Sequence, residues 1–290
     1  MMDDRGTAAF EIIVLLTVIV LAVGLVVNFT EKTTERLEDE IVEDNIAKTA
    51  NEFVDNIISN PGVPENWERL GNLKNVEVGI GIIDENNRTM ANSVSYEKLL
   101  SLNANYRQQV DEKTFNNQYK TSLIISPIDS TVPAISSGEN INSPLYTVNR
   151  IITCDFYKRF TVNDFQTDGK CNSYHITPHA CTHFKVFRSW LKTTDYYLLF
   201  DTDSYREYRW SISSTQIGDI SKSAASDVIY LNPEIEKKTI LDTNGAMFIH
   251  INQKDAKAVL AGVPKDFDKS KLEYDYFIPK ECELTFQIGK

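Results

Sequence analysis

The sequence predicts an α+β protein: a long N-terminal α-helix, half of membrane type and half amphipathic, carrying a mainly antiparallel β head. Three observations lead there. Residues 12–27 (IIVLLTVIVLAVGLVV) carry no charge, and Thr17 and Gly24 are the only ones that are not apolar. The apolar positions Leu37, Ile41/Val42, Ile46, Ala50, Phe53/Val54 and Ile57/Ile58 then recur mostly at steps of three or four, the period of an amphipathic helix. From Leu145 onward, short strand-like runs alternate with Asp, Asn, Gly and Pro clusters, the pattern of an antiparallel sandwich or curved sheet.

The first element is the apolar run. Counted from Thr7 to Phe29 it reaches the ~20 residues needed to cross a bilayer core, and a helix satisfies its backbone there. A removable secretory signal would carry a basic leader and a small-residue cleavage site after the run. Here Arg5 is the only base before it, Asp3 and Asp4 offset that charge, and the run ends in NFTEKTTE. A retained membrane helix follows. Glu11 is the exception within it. A carboxylate at mid-membrane costs about 2.5–3.5 kcal/mol on insertion scales, which makes Glu11 a functional candidate. In the first helical turn it could instead snorkel to the interface and favour the helix dipole.

Arg5-Gly6-Thr7-Ala8-Ala9-Phe10-Glu11, followed by an unbroken apolar run, resembles the class III signal peptide of archaeal type IV pilin-like proteins. The resemblance implies cleavage by a prepilin peptidase after Gly6, so that Thr7 becomes the first mature residue and Glu11 the fifth. It also implies a pilin-type helix and a role for Glu11 in assembly. The carboxylate of one subunit would neutralise the new α-amine of its neighbour and so compensate two charges that are costly apart. Thr7 and Ala9 depart from the family, where many members carry Gln and Ser.

The amphipathic half is acid-rich between Glu31 and Asp55 and meets no Gly or Pro before Asn60-Pro61-Gly62, a strong stop. One helix over residues 8–59 would be ~75 Å long. The alternatives are a hinge around residues 28–30 or a short coiled coil, for which the beat is irregular. NPGVPENW resembles the segment after the long helix in pilin-like proteins of methanogens, and VEVGIGII (76–83) the glycine-rich strand that follows. The likeness covers roughly residues 5–102. Pro64 and Trp67 are expected in a packed turn that orients the head. Division into a leader (1–6), a stalk (7–60), a first head portion (61–140) and a β-rich second portion (141–290) follows.

Within the head, Ser95 is the expected N-cap of a helix through about Phe115, and residues 119–125 alternate toward a strand. Residues 126–144, rich in Ser, Pro, Asn and Gly, are expected to form a long loop. The later candidate strands are 145–154, 184–190, 196–201, 208–213, 227–231, 239–241, 246–251, 258–263 and 284–288.

The 290-residue chain has a net charge of −11. That excludes the basic footprint of a nucleic-acid binder and suits a self-repelling surface. No G-x-S-x-G, H-E-x-x-H or P-loop string is present, and no enzyme activity is expected. Asp201-Thr202-Asp203-Ser204 could open a calcium loop, but it lacks the rest of that pattern and is expected to be a turn. Asn87 (N-R-T) and Asn28 (N-F-T) are sequons, Asn87 the better placed.

The densest chemistry is Cys171-Asn-Ser-Tyr-His175-Ile-Thr-Pro-His179-Ala-Cys181-Thr-His183. Cys and His suit zinc, and in an extended segment His179, Cys181 and His183 share one face. The rival is a Cys171–Cys181 disulfide, favoured outside the cytoplasm, with Cys154 and Cys282 as the second pair. His250 lies in an apolar strand and is expected to be structural. No cofactor is required, zinc being the one that the cluster would suit. The resemblance implies a structural subunit, minor or adhesive, of a surface filament. Its partners would be sister pilins, the prepilin peptidase, the assembly platform with its ATPase, and the membrane, which it leaves when assembled at the cell surface. The alternative is a membrane-anchored extracellular binding domain that never polymerises.

Overall fold

The computed structural model describes residues 4–84, 86, 88–166, 179–215, 217–218, 221–239 and 245–289; in the first helix, side chains are described for 14–17, 20–32 and 42–59. It shows a mixed α/β chain with an apolar N-terminal helix and mostly antiparallel sheets. In chain order the elements are α1 (Asp4–Ser59), β1 (Gly81–Ile83), β2 (Thr89–Val94), α2 (Tyr96–Tyr106), β3 (Lys120–Pro127), β4 (Ile135–Gly138), β5 (Tyr146–Cys154), β6 (Thr161–Asp164), β7 (Ala180–Val186), β8 (Thr194–Phe200), β9 (Arg209–Ser214), β10 (Lys222–Ser223), β11 (Val228–Tyr230), α3 (Asn232–Lys238), β12 (Gly245–Ile251), β13 (Ala258–Pro264) and β14 (Lys280–Gly289).

α1 is one continuous helix, without a hinge at residues 28–30. Its C-terminal part buries Ile46, Ala50, Val54, Ile57 and Ile58, the side marked by the sequence beat. Phe53 packs edge-on to Phe115 (centroids 5.4 Å apart) and against Phe286 (4.8 Å). Arg150 fastens the helix to β5 through Asp55 (3.0 Å) and Asn51 (2.9 Å).

The end of α1 is closed by the chain that follows it. Four C-terminal carbonyls of any helix lack intrahelical partners. Here Ile80 N–H donates to Ile57 O (2.8 Å) and Gly81 N–H to Asn60 O (2.9 Å). The buried Lys98 ammonium donates to Pro61 O (2.7 Å) and Gly81 O (3.3 Å). This approach explains the glycines: a Cβ on Gly79 would stand 2.1 Å from Asn60 O, and Gly62, at φ +86°, would drive one to 2.3 Å from the Trp67 ring. Trp67 is fully buried and its indole N–H donates to Gly79 O (2.8 Å). The NPGVPENW segment is thus a turn anchored by buried Trp67 against Gly79, while Pro64, expected to be packed, is exposed.

The head is a six-stranded sheet in the order β1-β2-β5-β14-β3-β4, antiparallel except for β2–β5. Strands β5 and β14 complete the sheet that β1–β4 begin, so sheet membership does not follow the expected division at residue 140. The apolar alternation of Leu284, Phe286 and Ile288 makes β14 the central strand, buried beneath α1. Residues 155–279 are therefore an insertion between two paired strands. The described residues among them form a sandwich of two four-stranded sheets, β10-β9-β12-β7 and β11-β8-β13-β6. Phe184, Leu198, Phe200, Trp210, Ile212, Met247, Ile249 and Leu260 fill its interior. The opposite face of β8 and β13 (Tyr197, Leu199, Val259, Ala261, Val263) joins the head core with Tyr274, Tyr276 and Phe277. The sheet of β8 and β13 is thus a shared wall, and the β12 sheet is the outer layer.

The insertion leaves on the side away from the apolar half of α1. Tyr146 meets Asn51 and Arg150 meets Asp55, so β5 runs in the direction of α1 and ends at Cys154 beyond it. Returning, β14 passes Phe53 at Phe286 and reaches Asn45 and Ile46 at Ile288.

Several local expectations change. β4 pairs with β3 inside the expected 126–144 loop, at a Ser-rich edge with little apolar signal. The helix from Tyr96 ends at Tyr106 and continues as a π-helical turn, Arg107–Glu112. Ser95 occupies the N-cap position without a side-chain bond; Asp155 caps the helix instead, accepting Tyr96 N–H at 2.8 Å. The strand expected at 184–190 is β7, and Arg188–Lys192 is a 3-10 turn. Thr239, expected in a strand, is the C-cap of α3, and residues 240–244 lie outside the described part.

Candidate functional site

Val14–Lys32 has a mean hydropathy of 2.3, and none of it is buried. By length and composition it could cross a membrane or act as a signal sequence. Its exposed side chains include Leu15, Leu16, Val20, Leu21, Leu25, Val26 and Phe29. The backbone at Gly6, Thr7 and Glu11 is helical, and their side chains lie outside the described ones. Asn28 is exposed near the end of the apolar stretch, while Asn87 lies outside the described residues.

The neck of the insertion holds Asp155. It joins Cys154, the last residue of β5, to an aromatic cluster of Tyr96, Phe156, Tyr157 and Tyr276. Burial, with the charge of Glu97, raises its carboxyl to about 6 despite the bond from Tyr96 N–H. The folded pKa lies above the unfolded value near 3.9, so the stabilisation is full below pH ~4 and is lost as pH rises through about 6. Ionisation should cost about 2–3 kcal/mol. Asp155→Asn keeps the acceptor for Tyr96 N–H and removes that charge. Its urea midpoint at pH 7 is expected to exceed that of the parent, with a flatter pH dependence between pH 4 and 6. An unchanged midpoint and slope would remove Asp155 as the source.

A cleft of about 450 Å³ lies beside the neck, lined among others by Asp129, Asp201, Asp203, Glu273, Asp275 and Lys257. Two of its polar pairs join the head to the insertion, and a third lies within the insertion. Lys280 pairs with Asp275 (2.6 Å), Thr131 Oγ1 donates to Glu273 (2.8 Å), and Lys257 lies 3.7 Å from Asp201. Asp201 also accepts from Asp203 N–H (3.1 Å) and the Ser204 hydroxyl (3.0 Å), which makes Asp201–Ser204 a turn.

The expected Cys154–Cys282 disulfide is not formed; both are free thiols, fully buried. Cys154 stands opposite Lys280 and Cys282 opposite Ile152, so the pair is diagonal across the ladder. Diagonal Cα atoms are ~7–8 Å apart, at or beyond the limit for a bridge without backbone movement. Burial raises Cys154 well above the usual thiol range and Cys282 to about 11, so both remain protonated core groups.

Of the Cys/His cluster, Cys171 and His175 lie outside the described residues, so the Cys171–Cys181 pairing does too. His179 immediately precedes β7, whose alternation sends Ala180, Thr182, Phe184 and Val186 inward and Cys181 and His183 to the outer face. On β12, Met247, Ile249 and Ile251 enter the core, which turns Phe248 and His250 outward. In the ladder, His250 stands opposite Cys181 and Phe248 opposite His183, with ring centroids 6.3 Å apart. Cys181 is buried and His183 exposed. Among the described residues, no group of three His, Cys, Asp or Glu side chains is placed to hold a metal ion. His250 was expected to be structural. Its alternation with Ile249 and Ile251 was readable as a face, but pairing with β7 was not.

No family model, no curated protein and no solved structure matches this chain.

Proposed function

We propose that this chain is a structural subunit, minor or adhesive, of a type IV pilus-like surface filament of archaeal type. One observation carries the reading. A single helix leaves its membrane-length apolar half wholly uncovered, buries part of its second half in a head, and displays an inserted sandwich on the far side. An unburied apolar helix in water would be a severe liability, whereas bilayer lipid or the helices of sister subunits would cover it. The leader (1–6) and the Thr7–Glu11 start of the stalk add the route from one environment to the other: prepilin peptidase cuts after Gly6, and Glu11 meets the new amine at Thr7 of a neighbour. The platform and ATPase of a pilus assembly system would extract the subunit. On this reading the sandwich is the displayed part and has no catalytic task.

Mass spectrometry of the N-terminus, on protein from native membranes and from sheared extracellular material, tests this. The expected chain begins at Thr7 and occurs in the sheared fraction. A chain that begins at Met1 or Met2 and stays in membranes would overturn it in favour of an anchored, non-polymerising binding domain.

A further inference from the structure

We propose that the outer face of the β9–β12–β7 sheet docks an acidic polysaccharide, with Lys185 and Arg209 holding its anionic groups and Phe248 and Trp190 its sugar rings; the reading above is needed only for the sandwich being displayed. The chain as a whole repels anions, with 41 acids against 30 bases. The four strands of the outer layer, β7, β9, β10 and β12, contain no Asp or Glu. Phe184, Val186, Trp210, Ile212, Met247 and Ile249 point into the sandwich. Strand alternation therefore turns His183, Lys185, Arg209, Ser211, Ser213 and Phe248 outward, and Lys185 and Arg209 are exposed. A carboxylate-free face bearing bases, on a chain that is acidic elsewhere, selects an anionic partner by complementarity.

The layout favours a polysaccharide over other polyanions. Ser213, Phe248 and His183 lie side by side across three strands, a width of ~10 Å. The Phe248 and His183 rings are 6.3 Å apart between centroids. Lys185 stands opposite Ala246, and Arg209 is bonded to Asn252, so the two bases are separated by ~20 Å along β12. Charge is thus sparse and set at the two ends of an aromatic, hydroxyl-bearing middle. Duplex DNA carries a charge every ~1.7 Å of axis, and anionic lipid surfaces are held by clusters of ~4–8 Lys/Arg. Two bases so far apart match neither. A polymer of sugar acids spaces its charges and offers hydroxyls and apolar ring faces between them. At the Lys185 end the chain enters the Arg188–Lys192 turn, where Trp190 is 44% exposed. Phe187 holds its ring edge-on, with centroids 4.9 Å apart. A large aromatic fixed in water offers contact area at low entropic cost.

The test uses the full chain in phosphatidylcholine nanodiscs, immobilised for interferometry. The probes are polygalacturonate, neutral dextran, duplex DNA and phosphatidylglycerol vesicles. Polygalacturonate is expected to bind, less tightly as salt rises, and dextran is not. Lys185→Glu combined with Arg209→Glu should weaken binding at least ~10-fold, and Trp190→Ala at least ~5-fold. All three side chains are exposed, so the variants should keep the fold. Lys74→Glu combined with Arg88→Glu makes the same charge change on the head and should leave affinity within ~2-fold. Failure of polygalacturonate to bind would overturn the proposal, and so would binding of DNA or phosphatidylglycerol vesicles in its place. Equal losses in the two double variants would also overturn it, since total charge rather than this face would then be responsible. None of these results depends on the mature N-terminus, so the filament reading stands or falls separately.

Discussion

Leu21→Arg combined with Leu25→Arg is expected to move the chain from the membrane fraction to the aqueous one. The two positions lie one helical turn apart on α1, are 64% and 62% exposed, and fall within the stretch of membrane length. Each arginine at a helix centre costs about 2.5–3.5 kcal/mol on insertion scales, so together they should defeat stable integration. Among the described side chains of α1 the buried ones begin at Ile46, so the head should be unaffected. Carbonate extraction of membranes reads the first effect, and circular dichroism melting of the detergent-solubilised chain reads the second. Retention of the double variant in carbonate-washed membranes would show that something other than this helix holds the protein there.

Trp67→Ala should destabilise the head by about 3–5 kcal/mol, the range for truncating a fully buried aromatic. Part of the loss is the cavity. The rest is local: Gly79 O loses the indole N–H at 2.8 Å, within the same turn that brings Gly79 and Gly81 against the end of α1. The effect should therefore extend to the helix. Hydrogen exchange at residues 50–59 should rise together with the drop in urea midpoint. A loss under ~1 kcal/mol, or exchange confined to residues 62–70, would show that the turn does not set the head on the stalk.

Much of this architecture was legible because it rests on periodicity. The beat at Ile46, Ala50, Val54 and Ile57/Ile58 marked the face that α1 buries. Most of the later strands announced themselves by apolar alternation between turn clusters. What stayed hidden depended on partners far along the chain. Capping of α2 by Asp155 could not be read because Ser95 is an ordinary N-cap residue, while the acceptor comes from 59 positions away. The Cys154–Cys282 pairing looked reasonable by count, yet its feasibility turned on a two-residue offset in the β5–β14 register. That His250 lies in an apolar strand was legible, but its place opposite Cys181 needed the pairing of β12 with β7.

The sequence by itself determined the long helix, its uncharged half, its buried stripe and the β-rich character of the rest. These depend on composition and on periods of 3.6 and 2 within single segments. Only the tertiary structure decided that β5 and β14 belong to the sheet beneath α1, that residues 155–279 are an insertion displayed on its far side, and that Cys181 faces His250. Those are choices among strands of similar apolar pattern. A strand carries its alternation in its own residues, whereas its neighbour is selected by the complementarity of whole faces and by where the chain between them can run.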